Sequence, residues 1–356
     1  MSFFRPTVDT LRAYVPGRQP PLGAQMIKLN TNENPYPPSP KALEALRALD
    51  PDELRRYPHP LGDEFRSAAA SVVGVDPSWV LAGNGSDDLL TILVRATAGP
   101  GRPVVYPTPT YVLYRTLADI QDAPVVEVPF TDDFALPVER LVDARGAVTF
   151  VANPNSPSGT ATSPQRLGEL AAALDGLLVV DEAYAAFADQ DALALLDAHR
   201  NVVLLRTLSK SHALAGLRLG FAIAHPAVLD GLVKVKDSYN VDAVAARVGA
   251  AAILDTAHTA RIVTRIQGNR TRLAAGLQRL GCRVWPSQAN FVLVRPPGGD
   301  AAHVYRELEQ RGILVRYFDE PALAEMLRIT VGTRLEQDTL METLESILPP
   351  PGQTGR

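Results

Sequence analysis

The middle of the chain carries six short apolar runs with few polar interruptions: "RPVVYP", "APVVEVPF", "AVTFVAN", "GLLVVDEAY", "NVVLLRTLS" and "LRLGFAIA". They lack the strict alternation of a half-exposed strand. Such runs suit strands buried on both faces, as in a parallel sheet flanked by helices. Between several of them lie Ala/Leu-rich stretches with helical spacing. "SPQRLGELAAALD" opens on Ser163-Pro164 and "SPKALEALRAL" on Ser39-Pro40. Each puts a capping hydroxyl ahead of a proline at the first helical position, where a missing N–H is harmless. The alternation predicts an α/β protein with a mostly parallel central sheet covered by helices.

The two ends read differently. "TVDTLRAYVPGRQPPLG" is rich in Pro, Gly and Arg, and "NTNENPYPPSP" holds four prolines that remove backbone donors and fix φ. Residues 1–38 are therefore expected to form an N-terminal arm and a substrate loop, ahead of a large domain over 39–260. Past residue 260 the texture changes to a long helix, "ARIVTRIQGNRTRLAAGLQRLG", then "CRVWP", "NFVLVRP", "GILVRYF" and "LRITVGT", with the helix "DAAHVYRELEQRG" among them. That pattern predicts a smaller α+β C-terminal domain over 261–348, and "PPPGQTGR" (349–356) a disordered tail.

Composition narrows the function. At 356 residues the chain is long enough for a large and a small domain, and a formal charge of −4 argues against nucleic acid as the main partner. Cys282 is the single cysteine, so no intrachain disulfide is available, which agrees with a reducing compartment. Met1 to Arg18 hold no apolar run of signal-peptide length and no stretch reaches the length of a membrane span, so a cytoplasmic protein without membrane contact is expected. The six histidines are scattered without paired spacing, and no metal site is expected.

The chemistry is concentrated in "RTLSKSHALAGLRLGF". An apolar run ends in Ser209 and Lys210, and Arg218 follows. A lysine beside apolar groups or another cation becomes a nucleophilic amine able to form a Schiff base, and Ser209 with Arg218 suits a phosphate. Aldehyde plus phosphate points to pyridoxal 5'-phosphate. Such a group needs an acid at its ring nitrogen, and Asp181 closes "LLVVD" 29 residues before Lys210. It needs backbone donors for the phosphate, and "GNGSDDLLTIL" offers Ser86 and Asp87 at a helix start. It needs a stacking ring, and "TPTYVLY" offers Tyr111. Each residue also has a plainer reading: a solvated lysine, a capping aspartate, an N-cap serine, a core tyrosine.

Taken together, "NPNSPSGT", "VVDEAY", "RTLSKSHALAGLRLGF" and "LRITVGT" resemble the fold-type I pyridoxal-phosphate aminotransferases. "KLNTNENPYPPSP" and "RRYPHP" look most like the histidinol-phosphate aminotransferase branch. The resemblance runs from about residue 9 to 347. It implies that Lys210 carries the Schiff base and moves the proton, that Asp181 pairs with the pyridinium and that Tyr111 stacks on the ring. It further implies that Tyr184 bonds the 3' oxygen, and that Ser86, Asp87, Ser209 and Arg218 hold the phosphate. The tyrosine matching Tyr57 reaches that phosphate from a neighbouring subunit, which implies a homodimer with shared active sites. Many relatives have asparagine just before Pro-Ser/Thr-Gly. Here Ser156 stands there, so the asparagine's role is assigned to Asn155, with a cis Ser156-Pro157 bond expected.

The resemblance also implies that Arg328 holds the anionic end of each substrate, a phosphate in histidinol phosphate and a carboxylate in glutamate or 2-oxoglutarate. Arg316 and Tyr14 match the other phosphate contacts, and Asn32, Glu33 and Asn290 lie near the substrate. The rival readings are an aromatic or broad-specificity aminotransferase, a threonine-phosphate decarboxylase, and a DNA-binding regulator. The last lacks a helix-turn-helix or basic extension.

Overall fold

The computed structural model describes residues 2–11, 17–20, 23 and 25–349. Tyr14 and residues 350–356 of the expected tail lie outside the described residues. The strands in chain order are β1 (Ile27–Lys28), β2 (Val80–Gly83), β3 (Val104–Thr108), β4 (Val125–Pro129), β5 (Val148–Ala152), β6 (Leu177–Asp181) and β7 (Val202–Thr207). They continue with β8 (Gly220–Ala224), β9 (Arg283–Val284), β10 (Phe291–Arg295), β11 (Ile313–Leu314), β12 (Arg316–Tyr317) and β13 (Leu327–Thr330).

Seven strands form the central sheet in the order β2-β8-β7-β6-β5-β3-β4. The pairs among β3 to β7 are parallel, while β8 runs antiparallel to both β7 and β2. The six apolar runs all become strands of this sheet. Successive side chains point to opposite faces. Leu178, Val180 and Leu204 enter one core layer with helices Asp63–Val73, Pro164–Ala173 and Ala243–Leu254. Val179, Val203 and Leu205 enter the other, with helices Ser86–Thr97, Leu113–Ile120 and Pro226–Val233. The serine-proline signals hold: Ser39 Oγ accepts from Lys41 N–H at 3.1 Å and Ser163 Oγ from Arg166 N–H at 3.3 Å.

A four-stranded antiparallel sheet, β12-β13-β10-β9, packs with helices Thr256–Arg279, Ala301–Gln310 and Arg334–Ile347 around a separate apolar core. Several features differ from the sequence expectation. β2 is four residues ending at a glycine, too short to stand out. The C-terminal helix starts from a capping box of Thr333 and Glu336. "GILVRYF" divides into β11, which pairs with β1, and β12, which pairs with β13. The N-terminal segment is partly regular: β1 is a strand, and Pro6–Thr10 is a short helix held where Arg5 and Thr7 bond Asp122.

Helix Ala243–Leu254 packs so closely on helix Asp63–Val73 and the segment leading into β8 that a Cβ at Gly249 would lie 2.1 Å from Leu219 Cδ2 and 3.2 Å from Phe65 Cδ2. Both neighbours are fully buried, and Leu219 follows Arg218 directly. Replacing Gly249 by valine is expected to destabilise the protein by about 1–3 kcal/mol through overpacking. Denaturant unfolding measures this, and unchanged stability would contradict the packing.

Candidate active site

Ligands of open α/β sheets bind outside the carboxyl ends of the strands. Here β3, β5, β6 and β7 end side by side, and a cavity of about 290 Å³ opens beyond them. Ser86, Asp87, Tyr111, Asp181 and Tyr184 lie on its wall, as do Ser209, Lys210 and Arg218. Arg316 and Arg328 close it from the small sheet, and Asn32 and Glu33 from the N-terminal loop.

Asp181 is the last residue of β6 and is buried. Tyr114 Oη–H donates to its Oδ2 at 2.8 Å, and Ala183 N–H donates to Oδ1 at 3.2 Å. Burial pushes its carboxyl up to about 6, while the bonds from Tyr114 and Ala183 pull it down; the Asp87 charge raises it and Lys210 lowers it. The adjacent acid, Glu182, points elsewhere and is salt-bridged to Arg206 at 2.9 Å. Of the two neighbouring acids in "DEAY", only Asp181 lies on this cavity wall.

Lys210 follows β7. Its Nζ donates to Thr31 O at 3.3 Å, lies 5.8 Å from the centre of the Tyr184 ring and makes no ion pair among the described residues. Asn34 Nδ2 donates to the Lys210 carbonyl at 2.8 Å, so the N-terminal loop grips the lysine backbone. Tyr184 Oη accepts from Asn32 Nδ2 at 2.9 Å, which leaves the phenol proton for an acceptor in the cavity. Asn32 is held in turn: its N–H donates to Thr330 Oγ1 at 3.0 Å, and its carbonyl accepts from Asn290 Nδ2 at 3.0 Å. Asn32 and Arg218 both have left-handed φ, 54° and 52°, a conformation non-glycine residues adopt mainly where surroundings impose it.

One end of the cavity suits an anion. Helix Ser86–Thr97 begins after Gly85, which supplies no side-chain cap, so the N–H groups of its first turn are not satisfied by a capping side chain. Glycines let the backbone close in there. A Cβ at Gly220 would lie 2.9 Å from Ser86 N, and one at Gly85 2.8 Å from Arg218 Nη2. Arg218 Nη2 and Tyr111 Oη–H both bond Asp87, each at 3.1 Å. The buried Ser209 Oγ accepts from Thr207 Oγ1 at 3.0 Å.

At the opposite end Arg316 and Arg328 are register partners on β12 and β13. Like charges directly across an antiparallel pair repel, and an anion bound between them removes that cost. Arg328 donates to Ser156 Oγ and to Asn30 O, both at 3.0 Å, and lies over Phe291 and Phe318 at 5.3 and 5.6 Å. Arg316 lies 5.4 Å over Phe318.

One residue expected to touch the cofactor from within this chain's own cavity is not brought to it. Asn155 is turned away, its Oδ1 accepting from Thr110 Oγ1 at 2.8 Å and its Nδ2 donating to Ser158 Oγ at 3.0 Å and Pro109 O at 3.3 Å. With both amide ends occupied it has no donor for a cofactor oxygen, and Ser156 is the residue on the wall. The Ser156-Pro157 bond is cis, as expected. Tyr57 is 82 % exposed and stacks on Tyr239 at 4.6 Å, away from this chain's own cavity. Two residues that bear on the site have no role in the sequence reading, Tyr114 and Asn34, and Ser156 takes the wall position that the reading gives to Asn155. The spacing Tyr111-x-x-Tyr114, one helical turn, was the available signal for the first.

An amine without an ion pair among the described residues, a buried carboxylate, tyrosine rings on the same wall and an anion cradle at a helix start match the demands of pyridoxal phosphate. Among the described residues there is no group of three or more His, Cys, Asp or Glu able to hold a metal, and no helix long and apolar enough to cross a membrane.

The profile of the family described as aminotransferase class I and II matches residues 24–347. A histidinol-phosphate aminotransferase of Nostoc sp. is 53% identical over 347 residues, covering 98% of this chain and 98% of the relative. One from Rhodopirellula baltica is 46% identical, covering 96% and 95%. Among solved structures, histidinol-phosphate aminotransferase from Sinorhizobium meliloti in complex with pyridoxal-5'-phosphate has a TM-score of 0.88 at 27% identity, covering 98% of each chain.

Burial of Asp181 makes a prediction with a definite sign. Its folded value, about 6, lies above the ordinary 3.8, so the folded cofactor-free protein favours the proton. That stability is present below about pH 4 and is lost as pH rises through about 6. In the cofactor-free protein, Asp181→Asn should therefore gain about 1–3 kcal/mol relative to wild type between pH 4 and pH 7. Paired thermal melts measure it; a pH-independent difference would refute it.

Proposed function

The chain belongs to the class I and II aminotransferases, and from that premise we propose that it transfers an amino group between L-histidinol phosphate and 2-oxoglutarate. The observation that carries the substrate reading is the Arg316–Arg328 pair at the mouth of a cavity that also holds Lys210 and Asp181. Two guanidinium groups suit the phosphate of histidinol phosphate and, in the second half-reaction, the side-chain carboxylate of 2-oxoglutarate. The curated relatives bearing this activity, 43–53% identical over nearly their whole length, support the same reading.

Pyridoxal 5'-phosphate, when bound, supplies an electron sink that makes the Cα proton of the amino donor acidic. Lys210 would hold its aldehyde carbon and, once displaced by the substrate amine, would accept and return the Cα proton on Nζ. Asp181 would hold the ring nitrogen protonated, and Tyr184, whose oxygen already accepts from Asn32, would donate to the 3' oxygen. Tyr111 would cover one ring face. Ser86 and Asp87 N–H groups, Ser209 and Arg218 would hold the phosphate at the helix start. Ser156, bonded to Arg328, takes the wall position first assigned to Asn155 and would help orient the substrate arginine.

Tyr57, exposed on its own chain, suits a role in a neighbour's site, and we infer a homodimer with shared active sites. The domain division at about residue 260 rests on the two sheets having separate cores.

With cofactor and glutamate, the protein should release 2-oxoglutarate and no carbon dioxide. Lys210→Ala should stay folded and lose both the visible Schiff-base absorption and transamination; retention of either overturns the assignment. Arg316→Ala should lower kcat/KM for histidinol phosphate by about ten- to a hundredfold while changing that for phenylalanine little, because a charge-assisted bond contributes about 1.5–3 kcal/mol. Equal losses for both donors would remove Arg316 from phosphate recognition.

A further inference from the structure

Tyr114 is the group that couples the buried acid to the aromatic wall. It sits in the first turn of helix Leu113–Ile120, one turn after Tyr111, and is 0% exposed. Its ring stacks on Phe150 of β5 at 4.9 Å with an interplanar angle of 13°, and meets Tyr111 edge-on at 5.7 Å and 88°. Its hydroxyl, at the far end of the ring, donates to Asp181 Oδ2 at 2.8 Å. Resting on the reading that Asp181 meets the cofactor's ring nitrogen, we propose that Tyr114 is a positioning residue for the reaction. Its hydroxyl keeps the Asp181 carboxylate ionised and aimed into the cavity, and its ring supports the Tyr111 ring.

A buried phenol must donate to something, so the contact alone would also suit a structural tyrosine. The groups that face Asp181 give it a larger part. Ala183 N–H on the following loop and Lys210 beyond β7 favour the ionised form, and Asp87 from helix Ser86–Thr97 opposes it. Tyr111 and Tyr184 are the other titratable groups near the phenol, whose own proton is held well above the ordinary tyrosine range, by burial first and then by the Asp181 charge. The phenol is therefore a donor throughout the working pH range. Even with all these donors, burial leaves the Asp181 carboxyl raised to about 6. Removing one of its two hydrogen bonds should let it keep a proton at neutral pH, and a neutral carboxyl does not stabilise a cationic ring nitrogen.

The test is Tyr114→Phe, which keeps the ring and its stacking and deletes one oxygen. The dissociation constant of pyridoxal phosphate from the cofactor-free protein is read by fluorescence titration, and the rate of the glutamate half-reaction is followed from pH 6 to 9. At pH 7 the cofactor should bind about tenfold more weakly. The acid limb of the half-reaction should move up by about one pH unit, with KM for glutamate within twofold of wild type. Phe150→Leu, which weakens the stack but keeps the hydroxyl, serves as a control for lost stability and should leave the acid limb where it is. An unmoved limb and unchanged cofactor affinity in Tyr114→Phe, or the same limb shift in Phe150→Leu, would overturn the proposal. Failure of wild type itself to bind the cofactor or to form 2-oxoglutarate would instead sink the underlying reading.

Discussion

A carboxylate at the end of a strand, out of reach of bulk water, is the constraint around which this molecule is organised. Asp181 closes β6 in the middle of the central sheet, where an ionised group is expensive unless donors or a cation meet it. The protein supplies two hydrogen bonds and a lysine across the cavity, which only partly offset the burial. The remaining demand for positive charge is a standing preference for a cationic partner inside the cavity.

The sheet order turns that local demand into a site. Because β5, β6 and β7 are adjacent and parallel, the loops carrying Ser156, Asp181 and Lys210 leave the same edge together. The antiparallel return of β8 then brings Arg218, just ahead of it, back beside the start of helix Ser86–Thr97. Residues more than a hundred positions apart meet because strand pairing, with glycines at 85 and 220, lets their backbones approach.

The small sheet contributes the other half. Arg316 and Arg328 face each other across β12 and β13, an arrangement that works against stability without an anion. The N-terminal loop is tied to the same sheet through Asn32 with Thr330 and Asn290, and through Asn30 with Arg328. It is tied to the lysine loop through Asn34. Strain at Asn32, paired arginines and a buried acid all sit around one cavity, which agrees with sites that sacrifice stability for function.

Much of this was legible in the chain. The unbroken apolar runs determined strands buried on both faces, since alternation would have left one face polar. Ser39-Pro40 and Ser163-Pro164 determined two helix starts, since those residues satisfy the first turn locally. The lysine, the acid, the arginine and the glycine-flanked serine were recognisable as types suited to one chemistry. Tertiary structure alone decided what depends on direction and distance. Asn155 and Ser156 are neighbours with interchangeable promise, yet only the serine faces the cavity, because Thr110, Ser158 and Pro109 occupy the amide. Asp181 and Glu182 are equally acidic in sequence, yet Glu182 is committed to Arg206. Tyr114 reads as any core tyrosine until its hydroxyl is seen 2.8 Å from the acid. Side-chain type sets which interactions are possible; which partner is within reach is set by strand order and packing, and no local pattern encodes it.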